Sequence, residues 1–305
     1  MRRKIIKQGY NTLTISLPIK WAKRLNLKGG DEISITEEEN ELVIRAKGKK
    51  VPRKAVLDIR YLGLMSRRSL AALYKSGYDE VEIIFSDPKQ LKPIEGAVDL
   101  ECMTYEIVKV TKDKCYIKNI SEPSDKEFDS LLRRTVYLLK TSIDDLEEAI
   151  KEKDYARIEH IQGLEKVNNK FTHFCRRALN TIGYSDAKKA PAMYTIVEQL
   201  ENVADEFKFL CMDIVANKKD NISKKTISLL QDVKNSIDLY TKIFFNYTPE
   251  QGEKFAKQRK DIVKKGHDLL KLKTNSYTDT LLIMHLITIE KQTFDILGPL
   301  LATVL

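Results

Sequence analysis

No stretch of this 305-residue chain stays apolar for long. The longest such run, "LLIMHLITI" at 281–289, holds His285 and falls far short of the roughly 20 residues a bilayer span needs. The opening "MRRKIIKQGY" is basic but has no apolar core and no small-residue cleavage site, so it does not read as a secretory signal. The expectation is a cytoplasmic protein without membrane insertion. Cysteine is scarce: Cys102, Cys115, Cys175 and Cys211 lie too far apart for a C-x-x-C metal or redox motif. They are expected as reduced, mostly buried thiols. The phosphate loop G-x-x-x-x-G-K, the dinucleotide turn G-x-G-x-x-G and the nucleophile elbow G-x-S-x-G are all missing. None of the histidines (His160, His173, His267, His285) has a Glu three residues before it, which removes the ligand pair of di-iron bundles. Nothing here points to an enzyme.

The most informative absence is local. Residues 1–28 contain eight Lys or Arg (Arg2, Arg3, Lys4, Lys7, Lys20, Lys23, Arg24, Lys28) and no Asp or Glu. The acids then arrive together, from Asp31 through Glu41. Residues 1–50 hold 12 basic and 6 acidic side chains, so +6 of the formal +9 sits in the first sixth of the chain. A surface free of carboxylate is suited to lie against phosphate, and such concentration implies a polyanionic partner for this end.

Three segments follow from pattern. In residues 1–50, "TLTISL" (12–17) alternates Leu13, Ile15 and Leu17 against Thr12, Thr14 and Ser16, the period of a half-buried strand. Pro18 opens a short helix at its first position, with Ile19, Ala22 and Leu25 inward and Lys20, Lys23 and Arg24 outward. A hairpin around Glu38–Glu41 closes the unit, which is small enough to need a second copy to build a core. Residues 51–123 read as an α+β connector or effector domain: strands at "AVLDI" and "EVEIIF", a helix over 61–76 ending at Gly77, a weak helix after Pro88, and a hairpin turned at Lys112–Lys114. Ser124 and Glu127 then form a capping box that starts a helical region over 124–305. Leu132, Val136, Leu139, Ile143, Leu146 and Ile150 make one stripe; Ile161, Leu164, Asn168, Phe171, Cys175, Ala178 and Ile182 a second; Ile196, Leu200, Val203, Phe207, Leu210 and Ile214 a third. The scheme repeats, with helices near 223–246, from Thr248-Pro249 to about 272, and from Ser276 to the end. Two three-helix repeats result, about 124–219 and 222–305.

"IIKQGYNTLTISLPIKWAKRLNLKGGDEISI" resembles the swapped-hairpin DNA-binding domains of the AbrB/MazE/SpoVT type, matching at Gly9, Thr14, Ile15, Pro18, Leu27, Gly30 and Asp31. The resemblance implies a homodimer with interleaved hairpins, binding double-stranded DNA through Arg2, Arg3, Lys4, Lys7, Lys20, Lys23 and Arg24. If three or four cations per chain reach phosphates, log K should fall against log salt with a slope of about −5 to −7 for a dimer.

Within the third stripe, Glu198, Glu201 and Asp205 lie at i, i+3 and i+7, on one helix face. Such a stripe is either solvated or neutralised by a hard cation. "LENVAD" (200–205) resembles the acidic run of PhoU-type phosphate-uptake regulators, and "LEKVNN" (164–169) offers Glu165 as a counterpart. That likeness implies a divalent or ferric metal at Glu165, Glu198, Glu201 and Asp205, with no cofactor otherwise. Aligning "QLENVADEF" with "HLITIEKQT" sets Ile287 opposite Glu201 and Lys291 opposite Asp205, so no second metal site is expected. The fold class is thus a multi-domain α+β chain: a swapped-hairpin β domain, an α+β middle and an all-α bundle of two PhoU-like repeats. The implied role is a dimeric transcriptional regulator of phosphate uptake. The alternative is a signalling adaptor whose head only dimerises while the bundle docks on a phosphate transporter ATPase or sensor kinase.

Overall fold

The computed structural model describes residues 2–38, 41–46 and 51–305. They divide into two compact units, Met1–Arg53 and Lys54–Leu305. In the first, β1 (Ile6–Gln8) and β2 (Thr12–Thr14) form an antiparallel hairpin with Ile6 opposite Thr14. Gly9 turns it at φ +72°, a left-handed conformation that suits glycine. Helix α1 (Ile19–Arg24) starts one residue later than expected, with Pro18 as its cap. The Lys28 amide donates to the Asp31 carboxylate at 2.7 Å, leading into a second hairpin of β3 (Ile33–Glu38) and β4 (Glu41–Ala46). The turn of that hairpin, and the expected segment boundary at residue 50, lie outside the described residues.

Two separate two-stranded sheets enclose little, and no described residue of this unit is buried. The period-2 pattern places Leu13 and Ile15 on a half-buried face, yet the ladder stops at Thr14 and they stand 69% and 48% exposed. Ile19, expected inward, is also exposed. The reason is physical: one chain supplies no second apolar layer to cover them.

The second unit begins with a mixed sheet. β5 (Lys54–Asp58) runs parallel to β6 (Glu80–Ile84) through α2 (Met65–Lys75). After α3 (Lys92–Leu100), the hairpin of β7 (Tyr105–Val110) and β8 (Lys114–Asn119) joins β6 antiparallel, giving the order β5-β6-β8-β7. Alternation along β6 and β8 sends Val81, Ile83, Cys115 and Ile117 into a core with Leu70 and Tyr74 of α2 and Ile94 and Ala97 of α3. Gly77, at φ +79°, ends α2 by letting its amide and the next reach back to the last carbonyls.

Helices α4 (Asp125–Glu152), α5 (Tyr155–Thr181) and α6 (Ala190–Ala216) form one three-helix unit, and α7 (Lys224–Phe245), α8 (Pro249–Leu270) and α9 (Tyr277–Asp295) a second. The Ser124–Glu127 capping box opens α4, and Ser223, Thr248 and Ser276 cap α7, α8 and α9. All six stripe positions of α4 and all six of α6 are buried. In α5 the stripe fails at Ile182, which lies past the helix end and is partly exposed. The last helix does not run unbroken to the end. It stops at Asp295 and restarts after Ile296 as α10 (Leu297–Val304), because Pro299 has no N–H to give the Asp295 carbonyl. α4 packs on α7 and α6 on α9, so both units share one core. His285 of α9 bridges Glu206 (2.6 Å) and Asp213 (2.9 Å) of α6, an ionic tie between the units. All four cysteines are buried and free, and burial pushes the Cys175 and Cys211 thiols up to about 12.

Sheet and bundle keep separate cores, yet they form one unit. The junction is polar. Arg177, on α5, is completely buried; its Nη1 donates to the carbonyls of Tyr74 (3.0 Å) and Tyr78 (2.7 Å), and its Nη2 to Asp79 Oδ1 (2.9 Å). The guanidinium lies 5.1 Å from the Tyr74 ring centroid and 5.6 Å from that of Tyr105. Asn180 adds a bond to the Lys75 carbonyl at 2.8 Å. Replacing Arg177 by Met leaves Asp79 and two carbonyls short of a buried donor. The expected loss is about 3–5 kcal/mol in urea unfolding, with the sheet melting ahead of the bundle. An unchanged midpoint and a single transition would show that the clamp contributes nothing.

Candidate nucleic-acid interface

The seven cations expected to face DNA are all exposed. Arg2, Arg3 and Lys4 lie on the segment leading into β1, and Lys7 on β1 itself, its ammonium 5.9 Å from the Tyr10 ring centroid. Lys20, Lys23 and Arg24 occupy i, i+3 and i+4 of α1, which puts them on one face of that helix. Lys23 and Arg24 fall in its last turn, where positive charge also favours the helix dipole. Among the described residues, none of the seven is ion-paired, so their charge is available to an anion. The apolar side chains of the unit tell a complementary story. Ile6, Leu13, Ile15, Ile35 and Leu42 are 48–69% exposed, and covering each one is worth about 1.5–3 kcal/mol.

The bundle carboxylates are placed differently. Glu201 accepts from Thr172 at 2.8 Å and from Arg176, with His173 Nε2 at 3.5 Å. Burial alone pushes the Glu201 carboxyl up, but the His173 hydrogen bond and the Arg176 charge hold it at about 2. Glu198 sits at the edge of this group, 3.9 Å from Arg176. Glu165 and Asp205 form a separate pair, 3.3 and 2.6 Å from Lys208 Nζ. Burial raises the Glu165 carboxyl while Lys208 pulls it back. The four expected ligands therefore split into two clusters, each gathered on a protein cation. Among the described residues no three His, Cys, Asp or Glu side chains converge as a metal ligand set. The donor set does not fit a resident metal: the space between the carboxylates is taken by ammonium and guanidinium. In the second three-helix unit, Ile287 is buried in the core and Lys265 pairs with Asp232.

Residues 6–52 match the model of the MazE family, described as antidote-toxin recognition MazE, bacterial antitoxin. The match spans the two hairpins and α1 and leaves the sheet and the bundle untouched. A search of curated proteins found no match to the chain. No helix among the described residues is long and apolar enough to cross a membrane.

Several charged groups escaped the pattern reading. Arg177 and Lys208 have partners distant in sequence or on a neighbouring helix, although the dipeptide Arg176-Arg177 inside an apolar helix was a visible signal. His173 lies 3.9 Å from Glu101 of the sheet domain and 3.5 Å from Glu201, linking the junction to the bundle. Glu101 in turn accepts from Arg67 of α2. Glu290, on α9, is fully buried and accepts from Ser236 at 2.8 Å. Burial pushes its carboxyl up to about 7. A carboxyl whose folded pKa exceeds its unfolded value stabilises the fold at low pH, and that contribution is lost as pH rises through about 7. Between pH 5 and 8 the wild type should lose about 3 kcal/mol by this route, whereas Glu290→Gln should show a flatter profile. Denaturant midpoints measured across that range check the difference.

Proposed function

We propose that this protein is a DNA-binding transcriptional regulator whose amino-terminal unit works as a homodimer, with the sheet and bundle carrying the regulatory input and no catalysis of their own. One observation carries the reading. The unit that resembles MazE exposes seven cations with no ion pair among the described residues and, at the same time, an apolar set that one chain leaves open. A second copy covers the apolar side chains and doubles the cations, so dimerisation and phosphate contact support each other. Interleaved hairpins, as the resemblance implies, would turn two incomplete sheets into one closed layer around a shared core.

The finer reading, control of phosphate uptake, is supported only by the likeness of residues 200–205 to PhoU-type regulators. Genome-wide mapping of bound DNA with and without phosphate tests that part separately. A soluble location follows the same reading, with the bundle acting in the cytoplasm. The adaptor alternative draws on exposed Phe209 and Met212 of α6 and Met284 of α9, apolar groups suited to a docking protein such as a transporter ATPase or sensor kinase.

Two measurements test the main reading. In a shift assay on duplex DNA, log K against log salt should fall with a slope of about −5 to −7. Charge reversal of Lys20, Lys23 and Arg24 to Glu should abolish binding at physiological salt while leaving the dimer intact by light scattering. Unchanged affinity would favour the adaptor. Leu13→Asp should weaken the dimer and lose DNA affinity together; a monomer that still binds with the full salt slope contradicts the proposal.

A further inference from the structure

The Glu165–Asp205–Lys208 cluster has the form of a cation in an oxygen cage. Lys208 Nζ donates to Asp205 Oδ1 at 2.6 Å and to Glu165 Oε1 at 3.3 Å, and lies 4.8 Å from the centroid of the neighbouring Phe209 ring. Glu165 also accepts from the Asn169 amide. Beside them is a cavity of about 10 Å³, lined by Ser142, Glu165, Asn168 and Lys208 among others, with room for about one water. Asn168 is completely buried, yet neither atom of its amide has a hydrogen-bond partner, and Asn169 Oδ1 has none either. An amide buried without partners costs about 1–3 kcal/mol, so its place against this cavity points to an occupant it should bind. Carboxylate and amide oxygens from two adjacent helices are the donors hard divalent cations select. What stands among them is a side-chain ammonium carrying one charge.

We infer that Lys208 is a tethered ammonium in the position of a divalent cation, and that taking it away turns Glu165, Asp205, Asn168 and Asn169 into a hard-metal site. The chain thereby holds α5 to α6 without drawing on free metal. The other expected ligands fit the same logic, since Arg176 neutralises Glu198 and Glu201. The inference concerns the bundle alone and stands whether or not the head binds DNA.

The test uses the full chain and Mn²⁺. Lys208→Met keeps the aliphatic stem and removes the charge. It should gain one saturable Mn²⁺ site, at least about tenfold tighter than any in the wild type, and Glu165→Gln added to it should abolish that site. If the Met variant is unstable, Mn²⁺ at about a hundredfold excess over Kd should raise its melting point by about 5–10 °C while leaving the wild type unmoved. A variant that gains no site, or melts at the same temperature with and without Mn²⁺, overturns the inference. So does a wild type that binds Mn²⁺ at this cluster and loses it on Glu165→Gln.

Discussion

Burying Arg177 takes a full charge out of water at a cost of several kcal/mol, offset by a set of partners at Nη1, Nη2 and the guanidinium faces that leaves Nε unbonded. The set is divided between two parts of the chain. The guanidinium belongs to α5, whereas its carbonyls, its carboxylate and its two aromatic faces belong to the sheet domain. Apolar surfaces can slide over each other at little cost, but a planar fork of donors accepts one position. The clamp therefore specifies how the sheet meets the bundle as well as holding it there. Residues 172–179 of α5 are buried without interruption because that helix serves both cores at once.

A line of polar contacts runs beside this clamp. Arg67 bonds Glu101, Glu101 approaches His173, His173 approaches Glu201, and Glu201 is held by Arg176. The same residue types thus do opposite jobs in the two units. In the head, Arg2, Arg3, Lys4, Lys7, Lys20, Lys23 and Arg24 are exposed and have no ion pair among the described residues. In the larger unit, carboxylates and cations meet inside the fold, as at Arg177–Asp79, Arg176–Glu201 and Lys208–Glu165. Net charge of the whole chain conceals this division; its placement reveals it.

Much of the larger unit was legible in the sequence because its signals are local. The 4-3 spacing of α4 and α6, the Ser124–Glu127 box and the alternation of β6 and β8 each depend on residues a few positions apart. The junction was not legible, since Arg177 and Asp79 are 98 positions apart and nothing in either neighbourhood names the other. Nor was the cage at Lys208. Spacing set the acids on one helix face but said nothing of the two cations, Arg176 and Lys208, between which the fold divides them. The break before α10 is a different lesson, for Gly298-Pro299 announced it and the apolar run of α9 masked it. In the head, alternation predicted a half-buried face that a single chain leaves exposed at Leu13 and Ile15.

That incomplete core has a consequence for dosage. On the reading proposed here, the amino-terminal unit acquires its interior only when two chains meet, so its assembly is second order in protein. At low copy number the amount of competent reader rises with the square of expression, and halving synthesis quarters it. A monomeric reader would respond in simple proportion. The open leucines and isoleucines of the first unit would therefore act as a threshold, keeping stray single chains off the chromosome until enough have accumulated.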